Sequence, residues 1–117
     1  MSVRVARERF EELVAAAMDG LPRWVLERLE NVDVLVEDRN PPGKRLLFGR
    51  YEGIPLTRRG AGYFGVLPDR ITLFRDTIQA ASRDEDALRL LVRDTVVHEV
   101  AHFFGISDER LEELGRG

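Results

Sequence analysis

The first third of the chain carries its apolar side chains at helical spacing. Within residues 3–19 they recur every three or four positions, which predicts an amphipathic helix. The positions are Phe10, Leu13, Val14, Ala17 and Met18. Gly20 ends this helix, and Pro22 begins a second, shorter one.

Three later segments have the residue pattern of strands. Residues 32–37 alternate apolar and polar side chains and are rich in β-branched residues. Residues 46–52 and 70–75 also read as strands. Asparagine, proline and glycine at 40–43 predict a loop, and the glycines between 53 and 65 predict another.

The last third is predicted to be helical. Residues 82–85 have the residue types of a capping box, which places the start of a long helix there. This helix runs to about Phe104, because Gly105 can adopt the left-handed conformation that ends helices. A short helix over residues 108–114 follows, with Ser107 as its cap.

Composition narrows the class of protein. The chain has 117 residues, of which 44% are hydrophobic and 33% charged, which suits one folded domain over residues 1–117. It has no cysteine and no signal-peptide core, so we expect it in the cytoplasm. No apolar run is long enough to span a membrane. The net charge is −3, and basic and acidic residues are interspersed along the whole chain instead of forming a basic stretch. We therefore expect no membrane and no nucleic-acid partner, and the oligomeric state stays open.

The two histidines of the chain lie in one short motif, HExxH, on the predicted long helix. Four residues turn a helix by about 400°, so His98 and His102 project from the same face and can reach one Zn²⁺ ion. Glu99 projects about 100° away from His98, which places it to reach a water on the metal instead of the metal itself. In such a site the carboxylate takes a proton from that water.

The alternative is that both histidines are ordinary core residues and that Glu99 pairs with an arginine. The helix from Val96 to Phe104 is otherwise apolar. Burying two histidines and a glutamate there without partners would cost several kcal/mol, on the order of 2–7 kcal/mol for each uncompensated polar group. A bound metal removes that cost, and the sequence therefore favours a metal site.

A third metal ligand must be a carboxylate or something weaker, because no further histidine or cysteine is present. Gly105 allows the chain to reverse, and Asp108 can then return to the open side of the metal. The full pattern, HExxHxxGxxD, resembles the extended metzincin motif with aspartate in place of its third histidine. It is more similar to a small prokaryotic zincin-like family, and the similarity extends over residues 32–115, including the segments 51–57, 67–75 and 95–97.

This resemblance implies a fold class, a cofactor and a set of roles. The fold would be α+β and zincin-like, with a small mixed sheet packed on the central HExxH helix. His98, His102 and Asp108 would bind Zn²⁺, and Glu99 would act as the general base. Two histidines and one carboxylate also suit Fe(II), although the HExxH helix favours zinc.

The chain departs from a full metzincin after its motif. Neither a methionine turn nor a tyrosine follows Asp108. Tyr51, Tyr63 and Arg75 are the remaining candidates for stabilising a tetrahedral intermediate. The leading hypothesis is a zinc metallopeptidase that hydrolyses a peptide or protein substrate. The alternative is a metal-stabilised binding or regulatory module, derived from a zincin, without turnover.

Two features have both a functional and an ordinary interpretation. The strand 70–75 can be an exposed edge that pairs with a peptide, or an interior strand. The first interpretation makes substrate-binding candidates of Thr72, Leu73, Phe74 and Arg75. Asp94, one helical turn before His98, can support a ligand histidine or be a solvated surface charge.

Overall fold

Helices flank a small sheet in the computed structural model, which describes residues 2–43, 45–60 and 67–114. The helices in these ranges are α1 (Arg7–Asp19), α2 (Arg23–Arg28), α3 (Arg75–Ala80), α4 (Glu85–Phe103) and α5 (Asp108–Glu113). The strands are β1 (Val32–Glu37), β2 (Gly49–Glu52) and β3 (Asp69–Phe74). A single 3₁₀ turn covers Leu56–Arg58. No helix in these ranges is long and apolar enough to cross a membrane.

The three strands form a mixed sheet in the order β1-β3-β2. The central strand β3 is parallel to β1 and antiparallel to β2. A small mixed sheet accompanied by helices confirms the predicted α+β class. The predicted strand at 46–52 is shorter than expected, since regular pairing begins only at Gly49.

The central position of β3 corrects the hypothesis of an exposed peptide-binding edge at 70–75. Both edges of β3 are hydrogen-bonded to neighbouring strands, and Ile71, Thr72, Leu73 and Phe74 are all buried. Thr72, Leu73 and Phe74 therefore offer no free backbone edge to a peptide. Arg75 is not in the strand, because it begins α3. The interior-strand interpretation is confirmed.

The core lies between one face of the sheet and α4, with α1 packed beside α4. Apolar residues of α4 recur at helical spacing on its buried side: Leu88, Val92, Val96 and Val100. They share a cluster with Phe10 and Leu13 of α1 and with Ile71 and Leu73 of β3. Each such side chain stabilises the fold by about 1.5–3 kcal/mol relative to its exposure to water.

The start of α4 lies two residues beyond the predicted cap. Asp84 is the N-cap, and its Oδ1 accepts a hydrogen bond of 2.8 Å from the backbone N–H of Ala87. Ser82 is buried and donates its hydroxyl to the carbonyl of Ile78 at the end of α3. The hydroxyl of Ser82 is thus engaged by the preceding helix, which leaves Asp84 to cap α4.

Candidate metal centre

His98 and His102 lie one turn apart on α4 and are half-buried. Their ring centroids are 4.7 Å apart, as the four-residue spacing predicts. The neighbouring stripe of the same helix, which includes Thr95, Glu99 and Phe103, is buried against the rest of the fold. The two imidazoles therefore stand at the border between the core and solvent.

A tight turn after α4 brings the third predicted ligand back to the histidines. Gly105 has a φ of +89°, a conformation that favours glycine. Its N–H donates to the carbonyl of His102 at 2.9 Å, and the N–H of Ile106 donates to that of Ala101 at 3.0 Å. This hydrogen-bond pair is a Schellman motif, which ends the helix and reverses the chain. The predicted turn at Gly105 is confirmed.

Asp108 is the first residue of α5 and points at both imidazoles. Ser107 caps this helix through a hydrogen bond of 3.2 Å from the N–H of Arg110 to its Oγ. The Oδ1 atom of Asp108 lies 3.0 Å from Nε2 of His98 and 2.9 Å from Nε2 of His102. The sequence-predicted set of His98, His102 and Asp108 is thus brought together in space.

The spacing of these donor atoms fits a small divalent cation. Ligands about 2.0–2.1 Å from a tetrahedral zinc ion are roughly 3.4 Å apart, so the observed set has to expand only slightly. Slight burial of Asp108 opposes ionisation, but the hydrogen bonds and charges of His102 and His98 lower the pKa of its carboxyl below the usual value. The carboxylate is the form that binds a metal.

Glu99 lies beside this set and is buried. Its Oε1 is 3.2 Å from Nδ1 of His102, the ring nitrogen that does not face Asp108. A neutral His102 that donates from Nδ1 to Glu99 keeps the lone pair of Nε2 available for a metal. Burial raises the pKa of the Glu99 carboxyl, although the charges of His102 and His98 act in the opposite direction.

Glu99 competes with Asp108 for the role of third ligand. Donor atoms of His98, Glu99 and His102 all lie within 4.8 Å of one another. However, the Nε2 atoms of both imidazoles converge on Asp108, whereas Glu99 contacts only the far nitrogen of one ring. The geometry therefore favours Asp108 as the ligand and Glu99 as its neighbour.

Gly49 is a site residue that the sequence analysis missed. A Cβ atom at this position would lie 2.8 Å from Cγ2 of Thr95, 3.0 Å from the carbonyl oxygen of Thr72 and 3.3 Å from Cγ of Glu99. Only glycine allows β2 to approach α4 so closely beside Glu99. The available signal was a glycine within a predicted strand, which often marks a close backbone approach.

Two adjoining cavities flank the candidate metal ligands. The first, of about 590 Å³, lies between residues 45–49 and the outer side of α4. The second, of about 560 Å³, contains His98, His102 and Asp108. Both cavities are lined by His98 and Glu99, so an elongated ligand can extend past the candidate site.

Neither of the two described candidates for stabilising a tetrahedral intermediate, Tyr51 and Arg75, is placed for that role. Tyr51 lines the second cavity, but its hydroxyl donates to Asp69 at 2.6 Å, and burial raises its pKa. Arg59 forms a salt bridge with the same carboxylate of Asp69. Arg75 donates to the backbone carbonyl of Val5 near the N-terminus, and Tyr63 lies outside the described residues.

Asp94 has the ordinary role of a surface charge. It is exposed, and it makes no hydrogen bond or ion pair with any residue in the described part of the chain. It lines the first cavity, and the polar partner of the His98 ring among the described residues is Asp108, not Asp94. The proposed support of a ligand histidine by Asp94 is therefore wrong for this structure.

Comparisons with known proteins agree with this geometry. The sequence model of the zincin-like metallopeptidase family matches residues 29–117, close to the range over which the resemblance was predicted. The solved structure of a conserved hypothetical protein (TTHA0227) from Thermus thermophilus is similar, with 26% identity and a TM-score of 0.59. That similarity covers 96% of this chain and 100% of the other. A search of curated proteins returns no match.

The family model matches most of the chain, and the structure places the HExxH residues in one cluster. The chain therefore belongs to the zincin-like metallopeptidase family.

Proposed function

We propose that the protein is a zinc-dependent peptidase that cleaves an extended peptide or protein substrate. His98, His102 and Asp108 hold the zinc ion, and Glu99 is the general base. The observation that carries the proposal is the convergence of both Nε2 atoms on Oδ1 of Asp108, at 3.0 and 2.9 Å, with a buried carboxylate alongside. A buried ionisable group beside a cluster of metal ligands suits catalysis better than it suits a closed structural site.

The chemistry divides between the metal and Glu99. A bound zinc ion supplies a Lewis acid that polarises a carbonyl group and lowers the pKa of a water molecule to about 7. Glu99 takes the proton from the attacking water and can return it to the leaving amine. Its burial supports this role, because a carboxylate with a raised pKa is a stronger base. His102 keeps the Glu99 carboxylate oriented through Nδ1.

The sheet offers a backbone edge beside this site. In the described part of the chain β2 pairs only with β3, so its outer edge is free. The close approach at Gly49 brings β2 next to Glu99. An extended peptide can add to such an edge by main-chain hydrogen bonds, and the two cavities can then take its side chains.

The test combines metal content with turnover of quenched fluorescent peptides. We expect about one zinc per chain in the wild type and in Glu99→Gln, with loss of zinc in His98→Ala. Turnover should fall by at least ~100-fold in Glu99→Gln, the usual contribution of a general base. Elemental analysis separates zinc from iron.

Two results would contradict the proposal in different ways. Retained turnover in Glu99→Gln would remove Glu99 from the mechanism. A zinc-loaded wild type that cleaves no member of a diverse peptide pool would favour the alternative, a metal-stabilised binding module without turnover.

A further inference from the structure

Arg45 lies in the connection between β1 and β2 and lines both cavities of the candidate site. The side chain of Asn40 fixes this part of the loop. Its Nδ2 donates to the carbonyl of Arg45 at 3.1 Å, and its Oδ1 accepts from the N–H of Leu47 at 2.8 Å. The backbone on both sides of Leu46 is therefore held, and Arg45 keeps its place beside the site.

The guanidinium of Arg45 is available to a ligand. Most described arginines have a partner, as Arg9 has in Glu85 and Arg50 in Glu52. Arg45 is exposed, and its side chain makes no hydrogen bond, ion pair or ring contact with another described residue. Four other described arginines also lack partners, but none of them lines either cavity: Arg39, Arg58, Arg70 and Arg93.

The surroundings of Arg45 define what it can bind. The first cavity has a largely apolar wall, formed by Leu46, Leu47, Phe48, Leu91, Val97 and Leu111. Apart from Glu99 and Asp108, the acidic residues that line the two cavities are Asp94 and Glu112. Neither of them forms an ion pair with Arg45. A guanidinium fork is matched to a carboxylate, which it binds through two parallel hydrogen bonds.

We infer that Arg45 binds a carboxylate of the peptide substrate and thereby determines specificity. The inference rests on the proposed peptidase function. The carboxylate has two possible sources, the C-terminus of the substrate or an acidic side chain within it. In either case an apolar residue of the substrate lies next to that carboxylate, against the wall of the first cavity.

The experiment measures binding, so that it does not depend on turnover. Zinc-loaded Glu99→Gln protein keeps peptides intact, and fluorescence anisotropy reports their affinity. Four fluorescein-labelled peptides share one leucine-rich sequence. The first ends in a free carboxylate and the second in an amide, whereas the third and fourth are amides with glutamate or glutamine at one internal position.

Each peptide is tested with Arg45 present and with Arg45→Ala added. Arg93→Ala is the matched control, because Arg93 is also exposed and unpaired among the described residues but lines neither cavity. Arg45→Lys keeps the charge without the fork. Circular dichroism verifies that every variant is folded.

We expect a carboxylate peptide to bind about tenfold or more tightly than its uncharged counterpart. Arg45→Ala should abolish this preference, Arg45→Lys should retain part of it, and Arg93→Ala should leave it unchanged. A preference for the free terminus identifies the C-terminal carboxylate as the source, and a preference for glutamate identifies an acidic side chain.

Three results would overturn the inference. They are the absence of any preference, a preference that survives Arg45→Ala, and equally weak binding of all four peptides. Failure of the wild type to cleave peptides, with the preference intact, would instead refute only the proposed turnover.

Discussion

Asp108 is the residue that would complete a metal site with the two histidines. Its side chain is 63% exposed, so contact with both imidazoles, and not burial, gives it its position. Two neutral imidazoles and one carboxylate would leave a divalent cation with one net positive charge. Such a cation remains an effective Lewis acid. Glu99, at 7% side-chain exposure, is protected from solvent by comparison.

Replacement of Asp108 tests this division between ligand and base. Asp108→Ala should lower the zinc affinity by at least about tenfold, since even residues that only support a ligand contribute 10–100-fold. Asp108→Asn keeps the shape of the side chain and should give an intermediate loss. Competition with a chromophoric chelator measures both affinities. Unchanged affinity in Asp108→Ala would show that Asp108 is not a ligand.

At the scale of elements, the turn between α4 and α5 sets the distance between Asp108 and the two histidines. The Schellman hydrogen bonds at Gly105 and the cap at Ser107 leave only a short connection between the two helices. Gly105 also packs directly on Thr57 of the 3₁₀ turn, where a Cβ atom would lie 2.1 Å from Oγ1. The turn therefore depends on glycine both for its φ and for space.

Gly105→Ala should destabilise the fold and weaken zinc binding. The positive φ alone costs about 1 kcal/mol for a residue with a Cβ, and the clash with Thr57 adds to it. Gly43→Ala is the matched control, because Gly43 has a φ of +77° and no described residue has an atom within 4 Å of its Cβ position. Urea unfolding compares the two variants. Equal losses of stability would show that contact with Thr57 has no effect.

The packing of β2 close against α4 also depends on one glycine, Gly49. Gly49→Ala should lower the free energy of unfolding by about 1–3 kcal/mol, the usual cost of overpacking, and should displace Glu99. Thr95→Ser removes the methyl group that lies nearest and should restore part of the stability. Gly60→Ala is the control, because its Cβ position has no neighbour within 4 Å in the described part of the chain. A Gly49→Ala variant as stable as Gly60→Ala would disprove the close approach.

In the whole molecule, the candidate metal site joins two separate parts of the structure. The histidines belong to α4, which packs on the sheet and on α1. Asp108 belongs to α5, which is anchored by the buried Leu111. A metal bound by both helices therefore adds a link between the core and the C-terminal helix.

Removal of the metal should consequently lower the thermal stability. Zinc at 100 times its dissociation constant stabilises the folded state by about 2.7 kcal/mol, which corresponds to roughly 10 °C in a domain of this size. Differential scanning calorimetry with and without EDTA measures the shift. His98→Ala should show no shift on addition of EDTA. Identical melting of the wild type with EDTA and with excess zinc would argue against the site.

Local features of the sequence predicted the candidate metal-ligating histidines and the turn that follows them. The four-residue spacing of the histidines sets their common face through the geometry of a single helix. The turn at Gly105 follows from the dihedral freedom of one residue. The family resemblance added the role of Asp108, and the structure brings Asp108 to both imidazoles. These contacts span at most ten positions in the sequence, so residue spacing and local backbone conformation were sufficient to predict them.

Contacts between distant segments were decided only by the tertiary structure. Three features of the structure join residues that are far apart in the chain. They are the position of β3 inside the sheet, the hydrogen bond from Tyr51 to Asp69, and the approach of Gly49 to Glu99. A strand has the same local pattern at an edge as in the interior, and a tyrosine or an arginine has the same chemistry whether its partner is absent or present. Only packing determines which strand edge stays free and which polar groups pair, because both depend on elements that meet across the whole fold.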